Sequence, residues 1–275
     1  MAVPYPTDIS GQELDELVEG AESYFQKPWK RFWAPSWSRR RGVWGWQFPL
    51  EVFLIGLILV AAPYFITNNI ADARGVTVLD PELGLDRDIP VIYWTILPYS
   101  LLYLFYPVTL MLCPKDDRGH AELAVGMQTL ILVTFFCCTI FLILPAEIDL
   151  RDQIDWEAMN AWETILFEFI HFSDNPWNAW PSLHIVHSYL LARLMTHWTR
   201  SRTPDSLGWN IFLVVLWLEW ALLCISIMTT KQHFAFDLVS GLIVAHMAWR
   251  FSTPSLGSIG EIWPLEFSGE SRSSD

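Results

Sequence analysis

The sequence predicts an all-α membrane protein, a bundle of six transmembrane helices. Of 275 residues, 52% are hydrophobic and only 17% are charged, where soluble domains carry roughly a quarter. The mean hydropathy is positive, +0.29. Six apolar runs, at residues 48–67, 90–113, 123–144, 182–198, 209–228 and 234–251, reach or approach the roughly 20 residues that cross a bilayer. Backbone amides find no partners in lipid, so these runs must be helices.

Taken in order, residues 1–47 read as a cytoplasmic tail that ends in a basic, Trp-rich segment, "KPWKRFWAPSWSRRRG". Trp prefers headgroup depth, which places 29–46 at the interface. A short helix is expected over 12–25. The first apolar run begins too late and runs too long for a cleavable signal peptide. The second span leads into the basic loop "PKDDRGH", and the third into an acidic loop over 147–163. The fourth and sixth spans are short and carry polar residues. The loop after the fourth, "TRSRTP", is basic, Arg250 closes the sixth, and 252–275 is a second tail. Lysine and arginine mark the cytoplasmic side. Both termini are therefore expected there, and the catalytic domain over 48–251.

The net charge of −13 is spread over tails and loops, so it says little about the substrate, and no nucleic-acid partner is expected. Cys113, Cys137, Cys138 and Cys224 lie in apolar runs without zinc-type spacing. They read as packing residues, not a disulfide framework. Deeper in the spans, Arg193 and Glu219 each lie about 16 Å below the outer face at 1.5 Å per residue. Intramembrane charges are costly, so the two are expected to pair.

This topology brings "AWPSLHIVHSYL", residues 179–190, and "SIMTTKQHFAFD", residues 226–237, to the outer face. His233 and Asp237 are spaced i, i+4 and share a helix face. A carboxylate beside an imidazole fixes its tautomer and supports charge on it. His184 can act as a general acid. Ser182 and Lys231 offer a hydroxyl and a cation, and the helix starts there offer N–H groups for an anion. A metal site is a competing reading, with His184, His187, His233 and Asp237 as ligands. A transporter or scaffold without turnover is another. His120, His171, His197 and His246 read as structural.

"PSLH", 181–184, resembles the second motif of the type 2 phosphatidic acid phosphatase superfamily, and 226–237 resembles its third, Ser226, His233 and Asp237 falling in register. The likeness covers roughly residues 80–251. Leu183 in place of the usual glycine resembles the branch that includes inositol phosphorylceramide synthases. The resemblance implies a phosphatidic acid phosphatase/vanadium haloperoxidase-like helical core and a phospholipid or sphingolipid substrate. It implies His233 as a nucleophile that forms a phosphohistidine, Asp237 as its orienter and His184 as the acid, with no metal or cofactor. Whether water or an alcohol accepts the phosphoryl-type group stays open, so the activity is that of a phosphotransferase or a phosphatase. The first motif is absent, and Ile227 replaces the third motif's arginine. Lys231 and Arg151 are the cations expected in their place.

Overall fold

The computed structural model describes residues 28–202, 206–252 and 256. The tails beyond these, with the helix expected over 12–25, lie outside the described residues. Among the described residues the chain is helical, with no strand: α1 (Lys30–Ser38), α2 (Gln47–Arg74), α3 (Gly84–Asp88), α4 (Ile96–Leu112), α5 (Asp117–Ile143), α6 (Ala161–Ser173), α7 (Leu183–Arg202), α8 (Leu207–Thr229) and α9 (Ala235–Ser252).

Four helices are long and apolar enough to cross a membrane: α2, α4 with the turn that precedes it (Tyr93–Leu112), α5 and α8. They coincide with the first, second, third and fifth apolar runs. The helices expected at the fourth and sixth runs are present as α7 and α9, but neither is apolar enough to count as a span by composition. The packing supplies the reason. α7 lies against α4, α5, α8 and α9, and none of its residues from 183 to 199 is exposed. A helix sheathed by other helices meets little lipid and can afford polar side chains. α9 is two-sided. Phe236, Val239, Ile243, Met247 and Phe251 face outward, while Asp237, Gly241 and Ala245 face inward.

Two features of the core go beyond or against the expectations. The Trp-rich segment expected at the interface is packed into the bundle. Trp33 and Trp37 on α1 are buried against Phe48 of α2, and Trp33 Nε1 donates to Gln128 Oε1 at 2.6 Å. Trp44, in the turn that follows, is exposed. The ion pair expected between Arg193 and Glu219 is not formed. The Arg193 guanidinium lies 4.9 Å from the Trp249 ring centroid, a cation–π contact, and Glu219 Oε1 is buried without a partner. A buried carboxylate that does cross between helices is Glu122 of α5. It accepts from Arg118 Nε at 3.0 Å and Trp198 Nε1 at 2.8 Å, with His197 Nε2 at 3.2 Å.

Candidate active site

The site forms where the start of α7 meets the α8–α9 turn. The carbonyl of Ile227, near the end of α8, accepts from the backbone N–H groups of Gln232 and His233 at 3.1 and 3.0 Å. This folds the chain back at once. Lys231 takes a left-handed conformation, φ +59°, which costs a non-glycine residue about 1–2 kcal/mol. His233 is thereby presented on a turn fixed from both sides. The backbone N–H of Ser182 donates to the Asp237 carbonyl at 3.2 Å and ties the start of α7 to α9.

Asp237 Oδ2 lies 3.0 Å from His233 Nδ1 and also accepts the Phe234 N–H at 2.9 Å. A carboxylate only accepts, so His233 carries its proton on Nδ1 and leaves Nε2 with a lone pair. His184 Nδ1 stands 3.0 Å from that Nε2, and Ser182 Oγ 3.3 Å from it. A bare nitrogen must accept here, so His184 Nδ1 carries a proton that points at the lone pair of His233. On the far side of the His184 ring, the Tyr99 hydroxyl of α4 lies 2.9 Å from Nε2. Asp237 and Ser182 are fully buried and His233 nearly so.

Sequence reasoning missed the second carboxylate of the site. Asp174, just past the end of α6, places Oδ2 4.0 Å from His184 Nε2. Its Oδ1 accepts from the Tyr64 hydroxyl at 2.6 Å and from Asn68 Nδ2 at 2.9 Å, both on α2. Burial raises the Asp174 pKa, while the Tyr64 bond, Arg151 and His233 oppose that rise. No motif marks Asp174, Tyr64, Asn68 or Tyr99. The available signal was the crowding of polar residues toward one membrane face.

The two expected cations have different surroundings. Arg151 Nη2 donates to the Asp174 carbonyl at 2.9 Å and to Gln232 Oε1 at 2.8 Å, and its Nε is buried without a partner. It stands beside the site with a donor to spare. Gln232 Nε2 in turn donates to His171 Nε2 at 3.1 Å. Burial first, and Arg151 second, push the His171 pKa down to about 4, so this histidine, read as structural, is a neutral acceptor behind Arg151. Lys231 is fully buried and its ammonium is spent on backbone: Nζ donates to the carbonyls of Asp86 at 2.8 Å and Ile89 at 2.6 Å. It locks α3 to the α8–α9 turn and does not extend toward the histidine pair. The start of α9 is likewise occupied, since Phe234 N–H bonds Asp237 and Ala235 N–H bonds Asp86 Oδ1 at 2.7 Å. The expectation that it offers free N–H groups is corrected.

His187 points elsewhere. Its Nδ1 lies 2.7 Å from the Tyr106 hydroxyl and its Nε2 2.9 Å from Thr134 Oγ1. Both ring nitrogens are used, so it does not converge with His184. Among the described residues no group of three His, Cys, Asp or Glu side chains forms a metal-ligand set.

A cavity of about 470 Å³ opens below the pair. Tyr64, Asp174 and His184 form its polar end, and Val60, Leu102, Met127, Leu130 and Leu183 are among its apolar walls. Along α2 it runs from Phe65 to Phe53, twelve residues or about 18 Å of helix. Leu183, the residue that replaces the glycine of the second motif, is part of the wall.

Comparison with known families places residues 84–251, more than half of the chain, in the PAP2 superfamily. The chain belongs to that superfamily, whose members are phosphatases and phosphotransferases. No curated protein matches the chain.

Proposed function

Membership of the PAP2 superfamily is the premise from which we propose an integral-membrane lipid phosphoester phosphotransferase, with six spans and the histidine pair on the outer side of the membrane. His233 Nε2 attacks phosphorus. Asp237 holds the opposite nitrogen and balances the charge that develops on the ring. His184 protonates the leaving oxygen. Ser182 and Arg151 bind the phosphoryl oxygens, and Arg151 takes the place of the cations that the missing first motif would supply. The covalent product is a phosphohistidine, which an acceptor hydroxyl then discharges.

The observation that carries this reading is the pairing itself. The Nε2 lone pair of His233 is aimed by a buried carboxylate, and the N–H of a second histidine meets it at 3.0 Å, directly above an apolar cavity that suits a lipid chain. α7 and α9 supply the two remaining crossings. At 20 and 18 residues they are about 30 and 27 Å long. The positions of lysine and arginine support cytoplasmic termini, which turn the pair toward the exterior, periplasm or lumen. The PSLH motif supports a transferase of the inositolphosphotransferase-like branch. A simple lipid phosphatase uses the same first half-reaction and water in the second.

The test is a panel of phospholipids and sphingolipids in detergent, read by mass spectrometry, with wild type beside His233→Ala. Wild type should convert at least one phospholipid and form an acid-labile phosphoenzyme, both lost in His233→Ala. Transfer of the headgroup to a second alcohol marks the transferase, and release of free phosphate marks the phosphatase. Undiminished turnover in His233→Ala refutes the mechanism.

A further inference from the structure

Proton bookkeeping at His184 demands a group that the motifs do not provide. A neutral His184 would hold its one proton on Nδ1, 3.0 Å from the His233 lone pair, and would accept from Tyr99 at Nε2, 2.9 Å away. A neutral imidazole that gave up that proton would become an imidazolate, which no group here can stabilise. To serve as an acid, His184 must first be an imidazolium with protons on both nitrogens. The site is buried, and an isolated cation there is costly. An anion is needed on the Nε2 side.

The groups that face His184 can be named from each surrounding element. Tyr99 comes from α4, His233 from the α8–α9 turn, and His187, already bonded at both nitrogens, from its own helix. Asp174 comes from the end of α6, with Oδ2 4.0 Å from Nε2 and Arg151 behind it. Asp237 is committed to His233. Asp174 is therefore the carboxylate placed to face the Nε2 side of His184. It is held for that task, since Tyr64 and Asn68 occupy Oδ1 and orient Oδ2.

We propose that Asp174 is a positioning residue that holds His184 as an imidazolium, so the site contains two carboxylate–histidine pairs, Asp237–His233 for the nucleophile and Asp174–His184 for the acid. The proposal rests on the reading of His184 as proton donor. In the first step the His233 Nε2 lone pair forms the N–P bond and the P–O bond of the leaving group breaks. The Nδ1 proton of His184 passes to the leaving oxygen, and His184 becomes neutral with its remaining proton on Nε2, facing Tyr99 and Asp174. In the second step bare Nδ1 takes the proton of the acceptor hydroxyl as its oxygen bonds phosphorus and the N–P bond breaks. The imidazolium returns and Asp174 again balances it.

The test uses full-length protein in detergent with three probes: phosphatidic acid and phosphatidylinositol, whose leaving alkoxides need a proton, and 4-nitrophenyl phosphate, whose leaving group does not. General-acid catalysis contributes about 10²–10⁴-fold, so Asp174→Asn should lose on the order of 10²-fold in kcat on the lipids and only a few-fold on the aryl ester. The alkaline limb of the lipid pH profile, where His184 loses its proton, should move down by about one unit, the effect of removing a neighbouring opposite charge. Asp174→Glu should restore the limb. Equal losses on both substrate types, or an unmoved limb, overturn the proposal, because a merely structural aspartate would not distinguish leaving groups. If Asp174→Asn does not fold, Asp174→Ser carries the same comparison. Failure of the underlying reading looks different: no wild-type lipid turnover that His233→Ala abolishes, or His184→Ala losing equally on alkyl and aryl esters.

Discussion

Gly241 controls the distance on which the site depends. It lies one turn after Asp237 on α9, where that helix crosses the start of α7. A Cβ built there lies 2.9 Å from the Ser182 carbonyl oxygen, 3.2 Å from Ile185 Cβ and 3.4 Å from the Ser182 nitrogen. Ordinary contact begins near 3.5 Å, so Gly241→Ala must push the two helices apart by roughly half an ångström. The obstacle is backbone and cannot rotate away. The Ser182 N–H to Asp237 carbonyl bond, already 3.2 Å, would stretch past useful length, and His184 would withdraw from His233. Overpacking of this kind costs about 1–3 kcal/mol of stability. A misplacement of about 1 Å can cost 10²-fold in rate, so half of that should lower kcat by roughly tenfold. KM should change less than kcat, because most of the cavity wall comes from α2 and α4, and α7 adds only Leu183, His184 and His187 at one end. The assay is steady-state turnover of the best lipid from the panel, with thermal unfolding measured alongside. Gly84→Ala is the control, since a Cβ there has nothing within 4 Å. Full kcat in Gly241→Ala, or a raised KM with kcat unchanged, would refute the argument that this crossing sets the catalytic distance.

Three further expectations concern the charges. Arg151→Lys should lower kcat/KM by an amount near the ~2.7–4 kcal/mol that follows loss of one transition-state donor, because lysine lacks the planar fork that bonds Gln232 and phosphate together; unchanged kcat/KM would remove Arg151 from the site. Lys231→Met should act on stability, since it strands the carbonyls of Asp86 and Ile89 at about 1–3 kcal/mol each, and kcat per folded molecule should hold. A fall in kcat with an unmoved Tm would return Lys231 to the phosphate. Activity should survive an excess of strong chelator, whereas loss that zinc restores would favour the metal reading.

Much of the fold was legible because hydropathy reports what lipid touches. α2, α4 and α8 present much of their apolar surface outward, α5 presents Phe135, Phe136 and Ile143, and the four runs fall within about two turns of the helix bounds. The i, i+4 spacing of His233 and Asp237 was legible for a similar reason, since one helix face suffices to bring them together. What the sequence hides is burial and direction. Lys231 stands two residues from His233, yet a left-handed turn carries its ammonium to α3. Asp174 stands ten residues from His184 in a stretch without a motif, yet the end of α6 brings the two within 4.0 Å. Residue counting sets Arg193 and Glu219 at matching depth, but depth along a helix does not fix azimuth, and Arg193 faces Trp249 on α9 instead.

Burial by neighbouring helices is also why the helix that carries the site is the one hydropathy identifies worst. α7 holds His184, His187, Arg193 and His197 within fourteen residues, a composition that would be unstable against lipid. It is tolerated because each group finds a partner from a surrounding helix: Tyr99 of α4 for His184, Tyr106 of α4 and Thr134 of α5 for His187, Trp249 of α9 for Arg193, Glu122 of α5 for His197. Those partners fix the rotation and depth of α7 far more tightly than apolar packing alone would. His184, at the start of α7, inherits that fixity. The polarity that disqualifies α7 as an isolated span is thus what lets it hold a histidine against His233 at 3.0 Å.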